Sequence, residues 1–80
     1  MTAAQETRLL RATPAGRALC YERVDAVREA RAELERTKRE HAAASAHMKD
    51  FWFNECLFRA QMLGMATAHL HRAMRAEVGG

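Results

Sequence analysis

Apolar residues recur at helical intervals along most of this chain, and the rhythm changes near residue 46. Before that point there is one narrow seam. Cys20, Val27, Leu34 and His41 recur every seven residues, interleaved with Arg23, Ala30, Thr37 and Ala44. Such a repeat returns to the same side of an α-helix every two turns, so it predicts a helix buried along a single edge. Its small members let a neighbouring helix come close. The other positions are largely charged. Glu35–Arg39 and Arg36–Glu40 stand at i,i+4 spacing, a pairing worth about 0.2–0.5 kcal/mol each on a solvated face.

Beyond residue 46 the apolar positions spread around the helix. Four of the five aromatic residues fall in Lys49–Phe58, and Phe51, Trp52 and Phe53 are consecutive. Phe53, Cys56, Ala60, Leu63, Thr67, Leu70 and Met74 trace one seam at 3,4 spacing. Met48, Phe51, Phe58, Met62, Met65 and His69 trace a second, roughly 140–160° away at ~100° per residue. Trp52, Glu55 and Arg59 lie between them. The remaining strip, Asn54, Gln61, Ala68, Arg72 and Arg75, is narrow.

The ends of these elements are marked unequally. Thr13 is placed to cap a helix and Pro14 to occupy its first position, where a missing N–H costs nothing. Upstream, Thr2 and Gln5 have capping-box spacing, which predicts a short helix over about 3–12 with Leu9 and Leu10 folded onto the body. No glycine or proline stands between Arg17 and Leu63. Two architectures follow. In one, the chain turns back within "AAASAHMKD", with Ser45 or Asp50 capping a second helix. In the other, a single helix of about 65 residues runs roughly 95 Å. The change of pattern near 46, the clustering of cap residues there and the equal arms favour the hairpin, with helices over 14–44 and 50–77. The 80 residues form one all-α domain, with 1–13 as an N-terminal arm and Gly79-Gly80 as a frayed tail.

A first arm with one narrow seam cannot cover both seams of the second. Burying a Phe or Met is worth roughly 1.5–3 kcal/mol, and a chain this short buries only about 60% of its unfolded surface. The Phe53 seam is therefore expected against the first arm. The second, Phe51, Phe58, Met62, Met65 and His69, is expected against another copy, giving a two-fold four-helix bundle. The two seams could exchange these roles.

Composition narrows the chemistry. The charge is mildly basic, thirteen Lys and Arg against ten Asp and Glu. Eleven of the cations are Arg and seventeen residues are Ala, a bias of GC-rich coding that points to a bacterial or phage source. The first sixteen residues lack the apolar core of a signal peptide. The most apolar window, Phe51–Leu70, carries Glu55 and Arg59 at its centre, which argues against a membrane span. Cys20 and Cys56 show no metal-ligand spacing, and in a hairpin they stand some 16 residues out of register, roughly 24 Å of helix. That separation rules out a disulfide and suits a reducing cytoplasm.

Catalytic and metal signatures do not emerge. His69 and His71 point to different sides of a helix, and His41 and His47 straddle the turn. Neither HExxH nor ExxH spacing occurs, so no cofactor or metal is expected. His69 reads as a half-buried core residue. Burial of His41 or His69 in an oligomer seam would make acidification loosen assembly. Cys56 has no His one turn away to activate it. Met48, Met62, Met65 and Met74 suit either a core or an adaptable binding surface. Nucleic-acid binding has some support in Arg8, Arg11, Arg17 and Arg23, but charge alternates farther along the first arm, which suits a phosphate backbone poorly.

These features favour a small non-enzymatic protein-binding module, a bacterial or phage-encoded regulator or inhibitor that occludes a larger protein. The alternatives are a nucleic-acid-binding dimer and, more distantly, a structural subunit of a larger assembly. Trp52, Glu55, Arg59, Arg8, Arg11 and Arg17 are the candidate contacts to an outside partner, since aromatic and Arg side chains anchor interfaces.

Overall fold

The computed structural model describes residues 2–4 and 13–78. The short helix expected over 3–12 lies outside the described residues apart from Ala3 and Ala4, which are helical, and Gly79 and Gly80 lie outside them as well. Among the described residues the chain is an antiparallel helical hairpin. Helix α1 (Pro14–Ala43) is followed by a 3-10 turn (Ala46–Met48) and helix α2 (Lys49–Val78). The hairpin measures 52 × 18 × 17 Å, which excludes the single long rod and matches two helices of 30 residues each, about 45 Å long.

Helix α1 starts as its sequence dictates. The Thr13 hydroxyl accepts the Gly16 N–H at 3.1 Å, and its carbonyl accepts the Arg17 N–H at 2.8 Å. Pro14 fills the first helical position. At the other end the backbone becomes extended at Ala44 and Ser45 and the Met48 N–H closes onto the Ser45 carbonyl at 2.9 Å. Ser45 stands before the 3-10 turn and makes no side-chain capping bond; its hydroxyl pairs instead with His47 Nδ1 at 3.2 Å. Asp50 lies inside the first turn of α2, where a carboxylate meets the positive end of the helix dipole. The open carbonyls of α1 are met by Lys49, whose ammonium donates to His41 O at 2.7 Å and Ala42 O at 3.2 Å.

The edge of α1 facing α2 is the seven-residue seam. Cys20, Val27, Leu34 and Thr37 are buried along it, and Gly16 extends it toward the N-terminus. At the open end Cys20 packs with Met74, Leu70 and Ala73. Thr37 donates its hydroxyl to Glu33 O at 2.7 Å, and Thr67 does the same to Leu63 O at 2.8 Å. Each hydroxyl is satisfied by its own helix, so it enters the interface without an unpaired polar group.

The ion pairs on α1 differ from expectation. Arg36 pairs with Glu33 at 2.6 Å and Lys38 with Glu35 at 3.4 Å, both one turn back at i,i+3. The expected Glu35–Arg39 and Arg36–Glu40 pairs give way to these. A third contact joins Arg28 and Asp25 at 3.8 Å. All are exposed and contribute little to stability.

Candidate protein interface

Helix α2 turns most of its expected seam toward α1 and departs from it near the turn, where Phe53 and Ala60 are exposed. Trp52, Cys56, Arg59, Leu63, Ala66, Leu70 and Ala73 are its partly buried positions at 4,3 spacing. The expected seam shares Cys56, Leu63 and Leu70 with them and has Thr67 and buried Met74 just beside. Phe53 and Ala60 are exposed instead, replaced by Trp52 and Arg59. Exchanging these two for their predecessors shifts the facing edge near the turn by part of the ~100° step, a local rotation. The rotation brings the largest ring in the chain toward α1, and Arg59 lays an apolar stem along the interface.

This choice leaves apolar side chains on both flanks of α2. On one flank stand Phe51, Phe58, Met62 and Met65, with His69 exposed among them. On the other stand Phe53 and Leu57. The six Phe, Met and Leu side chains are each 41–55% exposed. Covering the remaining half is worth roughly 1 kcal/mol apiece. His69, expected as a half-buried core residue, is exposed in the hairpin; His41 is the half-buried histidine, its ring 6.2 Å from that of Phe53. Phe51 and Trp52 meet edge to face at 5.1 Å.

The expected partner contacts fall in three places. Trp52, Glu55 and Arg59 are half-buried on the side of α2 nearest α1. Arg17 is half-buried in the first turn of α1, and Arg8 and Arg11 lie outside the described residues. Glu55 and Arg59 do not form an ion pair with each other. Arg59 sits with its guanidinium carbon 5.3 Å from the centre of the Phe58 ring, and its Nε is buried without a hydrogen-bond partner. Its charge contributes to holding the Glu33 carboxyl below the usual range, although the Arg36 hydrogen bond is the leading cause.

Beside the first flank a shallow groove runs between the helices. Its floor is small: Ala26 and Ala30 from α1, Ala66 and Ala73 from α2. Met62 and Met65 form one wall. Glu29 and Glu33 line it toward the turn, while Arg23 and Arg72 line it toward the open end. Leu19, 37% exposed, lies at the open end. Sequence reasoning missed Leu57 and Leu19. Leu57 stands one helical turn from Phe53, a spacing that marks it as a neighbour only once the orientation of α2 is known.

Among the described residues no group of three His, Cys, Asp or Glu side chains is placed to hold a metal ion. Neither Cys20 nor Cys56 is in a disulfide. No helix of the described residues is long and apolar enough to cross a membrane. Comparison with protein-family models, with curated proteins and with solved structures gives no match.

Proposed function

We propose that this chain is a small non-enzymatic protein-binding module, a regulator or inhibitor of bacterial or phage origin that acts in the cytoplasm by covering a surface of a larger protein. The observation that carries this reading is the double apolar margin of α2. Phe58, Met62 and Met65 on one side and Phe53 and Leu57 on the other stay about half exposed in a hairpin whose facing seam is already filled. Exposed apolar side chains gathered along one helix in this way mark an interaction site in a folded protein. A formed helix packed against α1 carries them, so little order has to be gained on binding, which favours affinity. Aromatic and Met side chains are frequent interface anchors.

The test is capture from a bacterial lysate with the full chain, comparing wild type with Phe53→Asp and Phe58→Asp. The proposal expects at least one protein that wild type retains and that one of the two variants loses, with the helical content of each variant unchanged. Identical captured proteins for all three chains would contradict it.

A further inference from the structure

On the Phe53–Leu57 flank a pocket opens between the helices toward their open end. Its floor is apolar: buried Val27 and Met74 with partly buried Val24 and Leu70. Its rim is cationic: Arg28 and Arg31 from α1, with His71 across from them on α2. Thr67 also lines it, with its hydroxyl already given to Leu63 O at 2.8 Å, so it leaves no unpaired donor there. The volume is about 220 Å³. An apolar cavity of about 150 Å³ holds a benzene, so the pocket has room for one aromatic or branched aliphatic side chain.

No carboxylate lines this pocket. The acids nearest in sequence are Asp25 and Glu35. Asp25 lies 3.8 Å from Arg28, and Glu35 is held by Lys38 at 3.4 Å. Counting Asp25 fully against Arg28 still leaves Arg31, which forms no ion pair among the described residues. Arg75, one turn beyond His71 and exposed, adds a further cation. The pocket is also continuous with the exposed apolar margin. Thr67 and His71 stand about four and five helical turns beyond Phe53 and so share its side of α2. Between Leu57 and Thr67 that side carries only Ala60 and Gly64, too small to obstruct a chain lying along it. From Phe53 to His71 is about 27 Å, the span of roughly eight residues of extended chain.

We propose that this pocket takes one apolar side chain from an acidic segment of the larger protein, with Arg28 and Arg31 receiving the carboxylates beside it. This rests on reading the hairpin as a protein-binding module and gives the chemistry of its partner on this flank. Two arginines at i,i+3 stand side by side on a helix, and each fork can hold a carboxylate through two parallel hydrogen bonds. The apolar floor decides against a nucleic acid, whose phosphates would meet the same arginines and leave Val24, Val27 and Leu70 without a partner.

Methyl spectra of the full chain with labelled methionines test the assignment. The probe is a glutamate-rich peptide of that length with one central phenylalanine. It is expected to shift the Met74 methyl saturably. Serine in place of the phenylalanine should weaken binding on the order of tenfold or more. Arg28→Glu/Arg31→Glu should weaken it on the order of tenfold or worse, and Arg31→Glu alone in the same direction, all with unchanged helical content. A lysine-rich version of the peptide should bind the double variant better than it binds wild type. A Met74 methyl that does not move, a serine peptide that binds as well, or arginine variants that bind like wild type would overturn the assignment. So would a single-stranded oligonucleotide that moves Met74 as strongly, or a Met74 shift on concentrating the chain alone, which would give the pocket to nucleic acid or to a second copy. A failed peptide with lysate capture still dependent on Phe53 or Phe58 would overturn the pocket alone; capture dependent on neither would overturn the binding module as well.

Discussion

The ammonium of Lys49 lies 2.7 Å from the carbonyl oxygen of His41, so the first residue of one helix closes the end of the other. A second bond to Ala42 O, at 3.2 Å, makes Lys49 a cationic cap on the negative end of the α1 dipole. The contact ties the two helices together at the reversal, where no glycine or proline stands. Lys49→Ala should lower the stability of the hairpin by about 1 kcal/mol, read as a shift in the urea unfolding midpoint. Lys49→Arg should recover part of the loss. Unchanged midpoints for both would show that the cap contributes nothing in solution.

Gly64 sits in the interior of α2, exposed, and a Cβ added there meets nothing within 4 Å. Glycine loses more backbone freedom on folding than alanine does. Gly64→Ala should therefore stabilise the chain by about 0.5–1 kcal/mol, measured by thermal or urea unfolding. A destabilised variant would mean that another surface approaches α2 closely at this position.

The two cysteines should differ sharply toward a thiol reagent. Cys20 is fully buried and packed with Met74, whereas Cys56 is half-buried. Modification needs access to the thiolate, so Cys56 should react in the folded state and Cys20 only as the helices open. Urea should speed the reaction of Cys20 far more than that of Cys56. Equal rates in the absence of urea would contradict the packing at the open end of the hairpin.

The Arg36 hydrogen bond holds the Glu33 carboxyl below its ordinary value of 4.5. A carboxyl with a depressed folded pKa binds fewer protons folded than unfolded, so stability rises with pH between the two values. The contribution of the pair is complete above pH 4.5 and is lost as pH falls through the lowered value. Glu33→Gln should thus be less stable than wild type at pH 7, and the difference should shrink as acidification proceeds below pH 4.5. Because the pair is exposed, the effect is small. A difference that stays constant from pH 7 to pH 3 would refute the linkage.

The sequence made α1 more legible than α2, for a physical reason. On α1 charge excludes almost every face but one, so Cys20, Val27 and Leu34 could only point inward. The two helix boundaries at the turn were legible to within a residue because the pattern changes there. On α2 apolar groups occupy most of the circumference, and spacing alone could not choose between Trp52 and Phe53 as the inward ring. Leu63 and Leu70 belong to either choice. The outcome depends on the whole pair of surfaces, including an arginine whose Nε is buried without a hydrogen-bond partner. The same crowding concealed Leu57. The exposed face of Phe51, Phe58, Met62 and Met65 was legible because one narrow partner leaves any second seam uncovered.

Whether that face is covered from outside the chain can be read at its methionines. With Met methyl groups labelled and a soluble paramagnetic agent added, Met74, 6% exposed, should stay sharp at every protein concentration and serves as the internal reference. Met62 and Met65 should be broadened at high dilution and become shielded when the protein captured from lysate is added, and Phe58→Asp should keep them broadened throughout. Methyls of Met62 and Met65 shielded even at the highest dilution, or accessible with the captured protein bound, would contradict a face left open by the hairpin and closed by a partner.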